Sequence, residues 1–307
     1  MKISIVIPVF NENESLPNLK IELDKNLSAY PEWEVIFIDD GSSDGSTECL
    51  KDFCTQDPHY KLIEFHRNYG KAAALSEGFK MALGDYVMTM DADLQDDPAE
   101  IPNFISKLEE GYDLVSGWKK SRKDPLNKTM PSKLFNFVTR LMTGVKIHDF
   151  NCGIKLYKSS VIKTLDLYGG RHRYIPALAR QKNFKISEIV VNHRPRIYGE
   201  TKYGSGRIFH GFFDLLTILF LNRYTQRPLH LFGFFGLFCI LISIGCETYA
   251  LYDKFVNGIP FQIHFALIVF GAMVFALGLW FFSIGLIAEM IVSAQQGNED
   301  RVKNIVG

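Results

Sequence analysis

Tyr86-Val87-Met88-Thr89-Met90-Asp91-Ala92-Asp93-Leu94-Gln95 is an apolar run that ends abruptly in carboxylates. Its first five residues, rich in β-formers and bounded by polar ones, read as a strand. The same figure recurs before it. Ile3–Pro8 is a strand running towards Asn11 and Glu12, Glu34–Ile38 one running into Asp39-Asp40-Gly41-Ser42, and Tyr60–Phe65 one running into His66-Arg67-Asn68. Helical patterns alternate with them: Ser15–Ser28 with Leu16, Leu19, Leu23 and Leu27 on one face, then Gly45–Phe53, then the Ala-rich Lys71–Met81. Such alternation predicts βαβ units, hence an α/β fold with a mostly parallel sheet covered on both faces. Ligands of open α/β sheets bind beyond the carboxyl ends of the strands. Every predicted strand here stops at polar residues, so a polar site is expected along that edge.

Two common nucleotide fingerprints are missing: neither GxGxxG after the first strand nor GxxxxGK[ST] occurs, which disfavours a dehydrogenase or a P-loop kinase. The strand ends offer carboxylate instead. Taken as an extended segment, Asp91, Asp93 and Gln95 share one side, and their oxygens suit one hard cation. Mg²⁺ favours one or two carboxylates, with substrate phosphates and waters completing its shell. An acidic pair two residues apart is also a common solvated turn; its place at the end of an apolar strand gives it weight.

The 307 residues suggest about two structural units. With 34 Lys+Arg against 34 Asp+Glu the formal net charge is zero, which excludes a generally basic nucleic-acid binder. The balance hides an uneven distribution. From Pro228 onward the charged residues are Glu247, Asp253, Lys254, Glu289, Glu299, Asp300, Arg301 and Lys303. Two long apolar runs result, interrupted only by Glu247 before Asp253 and by nothing between Lys254 and Glu289. A bilayer core of about 30 Å needs about 20 apolar residues, so residues 228–292 are expected to form a two-helix membrane hairpin turned at Gly258 and Pro260. Arg223 and Arg227 before it, and Arg301 and Lys303 in the tail 293–307, place both termini on the cytoplasmic side by the positive-inside tendency. Glu247 is expected near the outer end of the first span. Residues 206–227 carry Phe209, Phe212, Phe213, Leu216, Leu219 and Phe220 at helical spacing. They read as an amphipathic helix at the membrane interface or as a core helix of the preceding domain. No secretory signal is expected from the first residues. The five cysteines form no CxxC pair, so neither a disulfide framework nor a zinc site is expected, in keeping with a reducing compartment.

Taken together, five motifs in order resemble the family 2 glycosyltransferases, specifically the polyprenyl-phosphate (dolichol-phosphate mannose synthase-like) branch. They are Ile7-Pro8-Val9-Phe10-Asn11-Glu12, Ile38-Asp39-Asp40-Gly41-Ser42-Ser43-Asp44-Gly45, Arg67-Asn68-Tyr69-Gly70-Lys71, Met90 to Pro98, and Asp149-Phe150-Asn151-Cys152-Gly153. The resemblance covers about residues 3–205 and implies a GT-A, Rossmann-like catalytic domain over 1–205. It further implies that Pro8, Phe10, Glu12, Asp39, Asp40, Lys71, Asp91 and Ala92 hold the nucleotide sugar. Asp91, Asp93 and Gln95 would hold Mg²⁺ or Mn²⁺ against the diphosphate. Residues 196–203, with Arg196 and Lys202, resemble the family's mobile loop closing over the donor. After Ser116-Gly117 the mannose-synthase pattern typically has Arg; here Trp118-Lys119-Lys120-Ser121-Arg122-Lys123 stands instead.

The basic run itself, Lys119, Lys120, Arg122, Lys123 and Lys128 against Asp124, reads as a solvated loop or a contact with anionic head groups, at about 1 kcal/mol per cation, or as a dock for a lipid phosphate. The expected reaction is inverting transfer of a hexose to a polyprenyl phosphate at the cytoplasmic membrane face. Asp93, Asp149, Arg122 and Lys123 are the residues expected to serve it. Asp149 either orients the acceptor or a sugar hydroxyl, or caps a turn. Two-span relatives imply UDP-glucose and undecaprenyl phosphate as substrates and a homo-oligomer in the membrane. GDP-mannose is the alternative donor, and a non-catalytic nucleotide-sugar sensor the alternative class. A processive polysaccharide synthase is disfavoured by the absence of a QxxRW motif, and a transporter by only two spans without charge pairs.

Overall fold

In a computed structural model of the chain, residues 1–120, 136–165, 167–192, 194–195 and 228–295 are described. The chain divides into two compact units, Met1–Leu216 and Thr217–Gly307. The predicted interfacial helix straddles that division and lies outside the described residues, as do Arg122, Lys123, Arg196 and Lys202.

In the first unit, apolar runs become strands and leucine-periodic runs become helices. The strands are β1 (Lys2–Val9), β2 (Glu32–Asp39), β3 (Tyr60–Glu64), β4 (Tyr86–Thr89), β5 (Leu114–Trp118), β6 (Lys155–Lys158) and β7 (Ile186–Val190). Among the described residues they form one sheet in the order β3-β2-β1-β4-β6-β5-β7. The predicted parallel pairing is present between β1 and β2, β2 and β3, and β1 and β4, and β5 also pairs parallel with β7. β6 runs against both of its neighbours.

Helices cover both faces. Leu16, Leu19, Leu23 and Leu27 of α1 (Leu16–Leu27) are buried against Ile3, Ile5, Ile7, Val35 and Phe37, with α2 (Ser46–Gln56) and α4 (Ile101–Glu109) in the same layer. The opposite face packs Val6, Ile36 and Ile38 under Ala74, Leu75 and Phe79 of α3 (Lys71–Met81). Burial of that order stabilises by about 25 cal/mol per Å² of apolar surface removed from water, and it fixes which strand ends share an edge. At that edge β1, β2 and β4 leave the sheet while β6 enters it, with Lys155 in register with Thr89 and Ser116.

The second unit contains two long helices, Pro228–Phe255 and Phe265–Gln295. At 1.5 Å per residue they span about 42 and 46 Å, long enough to cross a bilayer core. Both are long and apolar enough to cross a membrane, and their outward faces carry exposed Phe234, Phe238, Met273 and Trp280. The helices meet through glycine. A Cβ on Gly236 would lie 2.8 Å from the Gly278 carbonyl oxygen, and one on Gly278 would lie 2.9 Å from that of Gly236. Lipid provides no hydrophobic drive for helix association, so close packing through small residues must supply it. Polar groups tie the two ends of the pair. The Leu229 N–H donates to Glu289 Oε2 at 3.3 Å, while at the turn Asp253 accepts from the Asn257 side chain at 2.6 Å and lies 2.9 Å from His264 Nε2. Glu247 lies with Oε1 where a Cβ on Gly271 would stand, 2.6 Å away, so its carboxylate rests along the second helix.

Candidate active site

β4 delivers the acidic motif to the carboxyl edge, but not in the expected form. The chain turns directly after Asp91, and Leu94 takes a left-handed φ of 59°. The Gln95 N–H donates to Asp93 Oδ1 at 3.2 Å, closing a short turn. Asp91, Asp93 and Gln95 are therefore carried on a turn and not on one side of an extended segment. Ala92 is buried, and its carbonyl accepts the Ser15 hydroxyl at 2.7 Å.

Asp91 is set from below. Its N–H donates to Asp96 Oδ2 at 3.1 Å, and Asp96 is paired with Lys119 at 3.0 Å. Gly153 leaves the space for this arrangement: a Cβ there would lie 2.5 Å from Asp91 Oδ2 and 2.9 Å from Asp96 Oδ2. Lys71, at the first turn of α3, donates to Asp91 Oδ1. Burial alone would push the Asp91 carboxyl up, but the Lys71 and Lys119 cations outweigh it and hold it at about 2. Asp91 is thus an anion throughout the physiological range.

Lys119 corrects one expectation. Its side chain is 10% exposed and its partner Asp96 is 0% exposed, so its ammonium sits under the acidic turn instead of facing a lipid phosphate. Breaking a buried pair from one side leaves an uncompensated charge, at about 3–5 kcal/mol. Lys119→Met is accordingly expected to lower the unfolding free energy by about that amount, read by denaturant unfolding in detergent. An unchanged midpoint with impaired acceptor use would restore the surface role. Lys120, by contrast, is exposed, with its ammonium 5.6 Å from the Trp118 ring centre.

Asp39 and Asp40 also lie deeper than a ligand-contacting reading implies. Asp39 is buried, with Oδ1 accepting from the Ser42 N–H at 3.0 Å and Oδ2 from the Thr47 hydroxyl. Asp40 accepts from the N–H groups of Tyr69 at 2.6 Å and Gly70 at 2.9 Å, and its carboxyl is shifted upward by burial. In this structure both carboxylates fold the loops that frame the site. Pro8, Phe10 and Glu12 are half-buried at the end of β1, where the Glu12 N–H donates to Ser46 Oγ at 3.0 Å. Asp149 is buried, and its Oδ1 accepts from the Asn151 N–H at 3.1 Å, the bond of a turn-capping residue.

Beside Asp91 opens a cavity of about 110 Å³ whose wall includes Lys71, Asp91, Lys155, His172 and Arg173. Sequence reasoning missed the last three. Lys155 is the buried one of the two lysines that bracket the short strand Lys155-Leu156-Tyr157-Lys158, and His172 and Arg173 stand in the basic triplet after Gly169-Gly170; those were the available signals. His172 is held well below its ordinary value, at about 3, by burial first and then by the cations Lys71, Arg173 and Lys155. Its imidazole is neutral.

The acidic turn suits a hard divalent cation. Asp91, Asp93 and Gln95 offer only oxygen donors. Among the described residues no group of three or more His, Cys, Asp or Glu side chains forms a complete protein cage. A cation held there would need to complete its shell from phosphate and water, as Mg²⁺ does.

A family model described as "Glycosyl transferase family 2" matches residues 4–166. Dodecaprenyl-phosphate galacturonate synthase of Rhizobium johnstonii is 36% identical over 297 residues, covering 95% of this chain and 88% of the relative. Undecaprenyl-phosphate 4-deoxy-4-formamido-L-arabinose transferase of Salmonella paratyphi A is 34% identical over 296 residues, covering 94% and 88%. Among solved structures, glucosyl-3-phosphoglycerate synthase from Mycobacterium tuberculosis, in complex with Mn²⁺, UDP and phosphoglyceric acid, aligns with a TM-score of 0.56. It is 16% identical, over 72% of this chain and 78% of that one, a likeness of fold.

Proposed function

Because the chain belongs to glycosyl transferase family 2 and has a GT-A fold, we propose that it transfers a sugar from a nucleotide sugar to a polyprenyl phosphate with inversion. The observation that carries this reading is the reach of the similarity. It extends over 297 and 296 residues, nearly the whole chain, to two relatives named for a polyprenyl-phosphate substrate. An apolar two-helix tail fits an acceptor that lives in the bilayer, with the catalytic unit and both termini on the cytoplasmic side. The donor is a UDP-linked sugar and the acceptor undecaprenyl phosphate. UDP-glucose is the donor that the sequence resemblance implies, and GDP-mannose is the alternative.

In this mechanism a lipid phosphate oxygen forms the new bond to the anomeric carbon. The bond from that carbon to the diphosphate breaks, and its electron pair leaves with the nucleoside diphosphate. A phosphate monoester has its second pKa near ~6 and is largely dianionic at neutral pH, so no residue has to remove a proton. The demand on the chain is electrostatic and geometric. Asp91, Asp93 and Gln95 would hold Mg²⁺ or Mn²⁺, which when bound stabilises the charge of the departing diphosphate. Lys71 fixes the Asp91 carboxylate, Pro8, Phe10, Glu12, Asp39 and Asp40 wall and brace the nucleotide side, and Asp149 holds the turn that leads into β6. Lys120, Arg122 and Lys123 position the acceptor phosphate, and Arg196 and Lys202 close over the donor.

The test is incubation of membranes containing the chain with undecaprenyl phosphate and a panel of nucleotide sugars, with and without EDTA, followed by mass analysis of the lipid. A lipid-linked sugar that EDTA suppresses is the expected product. Donor binding without any lipid product would replace the enzyme by a sensor.

A further inference from the structure

The cavity beside Asp91 contains polar groups that the chain itself leaves unmet. Lys155 is 3% exposed and donates to the Cys152 carbonyl, but it appears in none of the ion pairs among the described residues. Of the carboxylates that act on this region, Asp91 is paired with Lys71 and Asp96 with Lys119, and Asp149 favours the Lys155 charge without an ion pair to it. His172 lines the same cavity, and its Nδ1 is buried with no hydrogen-bond partner among the described residues. A buried ammonium with no carboxylate in contact is costly to keep, and burial pushes the Lys155 amine down from its ordinary value; a buried ring nitrogen without a partner is costly too. These two groups in one wall describe a site completed by a ligand with an anionic acceptor group, and Asn151 Oδ1, in the same wall and also without a partner among the described residues, calls for a hydroxyl on that ligand.

The position of the cavity narrows the choice. Lys155 is in register with Thr89, two residues inside Asp91, so the recess lies on the sheet side of the acidic turn. A bridging diphosphate has substituents at both ends and must pass through a site. A recess of about 110 Å³ is of the size of a terminal group. Two donors, one ammonium and one imidazole N–H, match the two oxygens of a planar carboxylate.

We propose that Lys155 and His172 recognise a carboxylate on the transferred sugar, making the donor a nucleotide-linked uronic acid. This rests on the glycosyl-transfer reading above and names its substrate class. The relative named for galacturonate shows that a chain 36% identical to this one is associated with an acidic sugar.

The full chain in membranes is supplied with undecaprenyl phosphate and, in separate reactions, UDP-galacturonate, UDP-glucuronate, UDP-galactose and UDP-glucose. A uronate is expected to be preferred over its neutral counterpart in kcat/KM by about 10- to 100-fold, the scale of one charged hydrogen bond. Lys155→Met is expected to cut that preference ratio by a similar factor, and His172→Ala by less. The wild-type ranking alone tests the idea should either variant fail to fold. Equal or better use of neutral hexoses by the wild type overturns it. So does a Lys155→Met variant whose KM rises for the lipid phosphate while its donor ranking is unchanged, because the anion would then be the acceptor's. Absence of lipid-linked product from every donor sinks the transfer reading itself, which is a different outcome.

Discussion

Replacing Asp93 with alanine is expected to reduce sugar transfer at least about 100-fold, the scale seen when one preorganised charge-stabilising group is removed. The fold should survive. Asp93 lies half-buried on the turn, and the bond it accepts from the Gln95 N–H, at 3.2 Å, is worth about 1 kcal/mol. Transfer and stability should therefore separate, with lipid product lost while the thermal unfolding midpoint stays close to that of the parent. Asp91→Asn tests the neighbouring position differently, because it also leaves the Lys71 ammonium facing an amide where a carboxylate stood. Near-full transfer by the Asp93→Ala chain, measured as lipid-linked sugar per unit time, would remove the divalent cation from the proposal.

Gly153→Val should be nearly as damaging for the opposite reason: it adds atoms instead of removing them. Its Cβ would meet Asp91 Oδ2 at 2.5 Å and Asp96 Oδ2 at 2.9 Å. Neither carboxylate can retreat freely, since one is held by Lys71 and the other by Lys119. Overpacking typically costs about 1–3 kcal/mol, and here the displaced atoms are those of the acidic turn. Both the unfolding midpoint and the transfer rate are expected to fall, with transfer losing about 100-fold as reacting groups are misplaced by about 1 Å. A Gly153→Val chain with parental activity would show that Asp91 tolerates displacement and is not a precisely held ligand.

Much of the first unit was legible because its signals are local. Apolar runs ending in polar residues gave β1 to β4, and the Leu16, Leu19, Leu23, Leu27 spacing gave α1 within a residue at each end. What failed to show were features set by distant partners. The reversal of β6 depends on pairing with β4 and β5, and nothing within Lys155-Leu156-Tyr157-Lys158 states a direction. The acidic segment read as extended because Leu94 is a residue type that seldom adopts a left-handed conformation, yet it does so here. Lys119 looked like the first of a solvated basic run; its neighbour in space, Asp96, is 23 residues away in the chain, and only the folded turn makes them a pair. The motif resemblance pointed to the carboxylates at the strand ends. It was silent on Lys155 and His172, whose significance comes from what surrounds them and not from their spacing.

The reversed direction of β6 has a consequence for how donor preference can change. The residues proposed to hold the diphosphate follow strands that run towards the site, whereas Lys155 stands at the start of β6, which runs away from it. On the proposed reading, donor preference can change through Lys155 and His172 while the strand-end carboxylates stay as they are, so a graft meant to exchange that preference has to carry residues 149–158 together with His172.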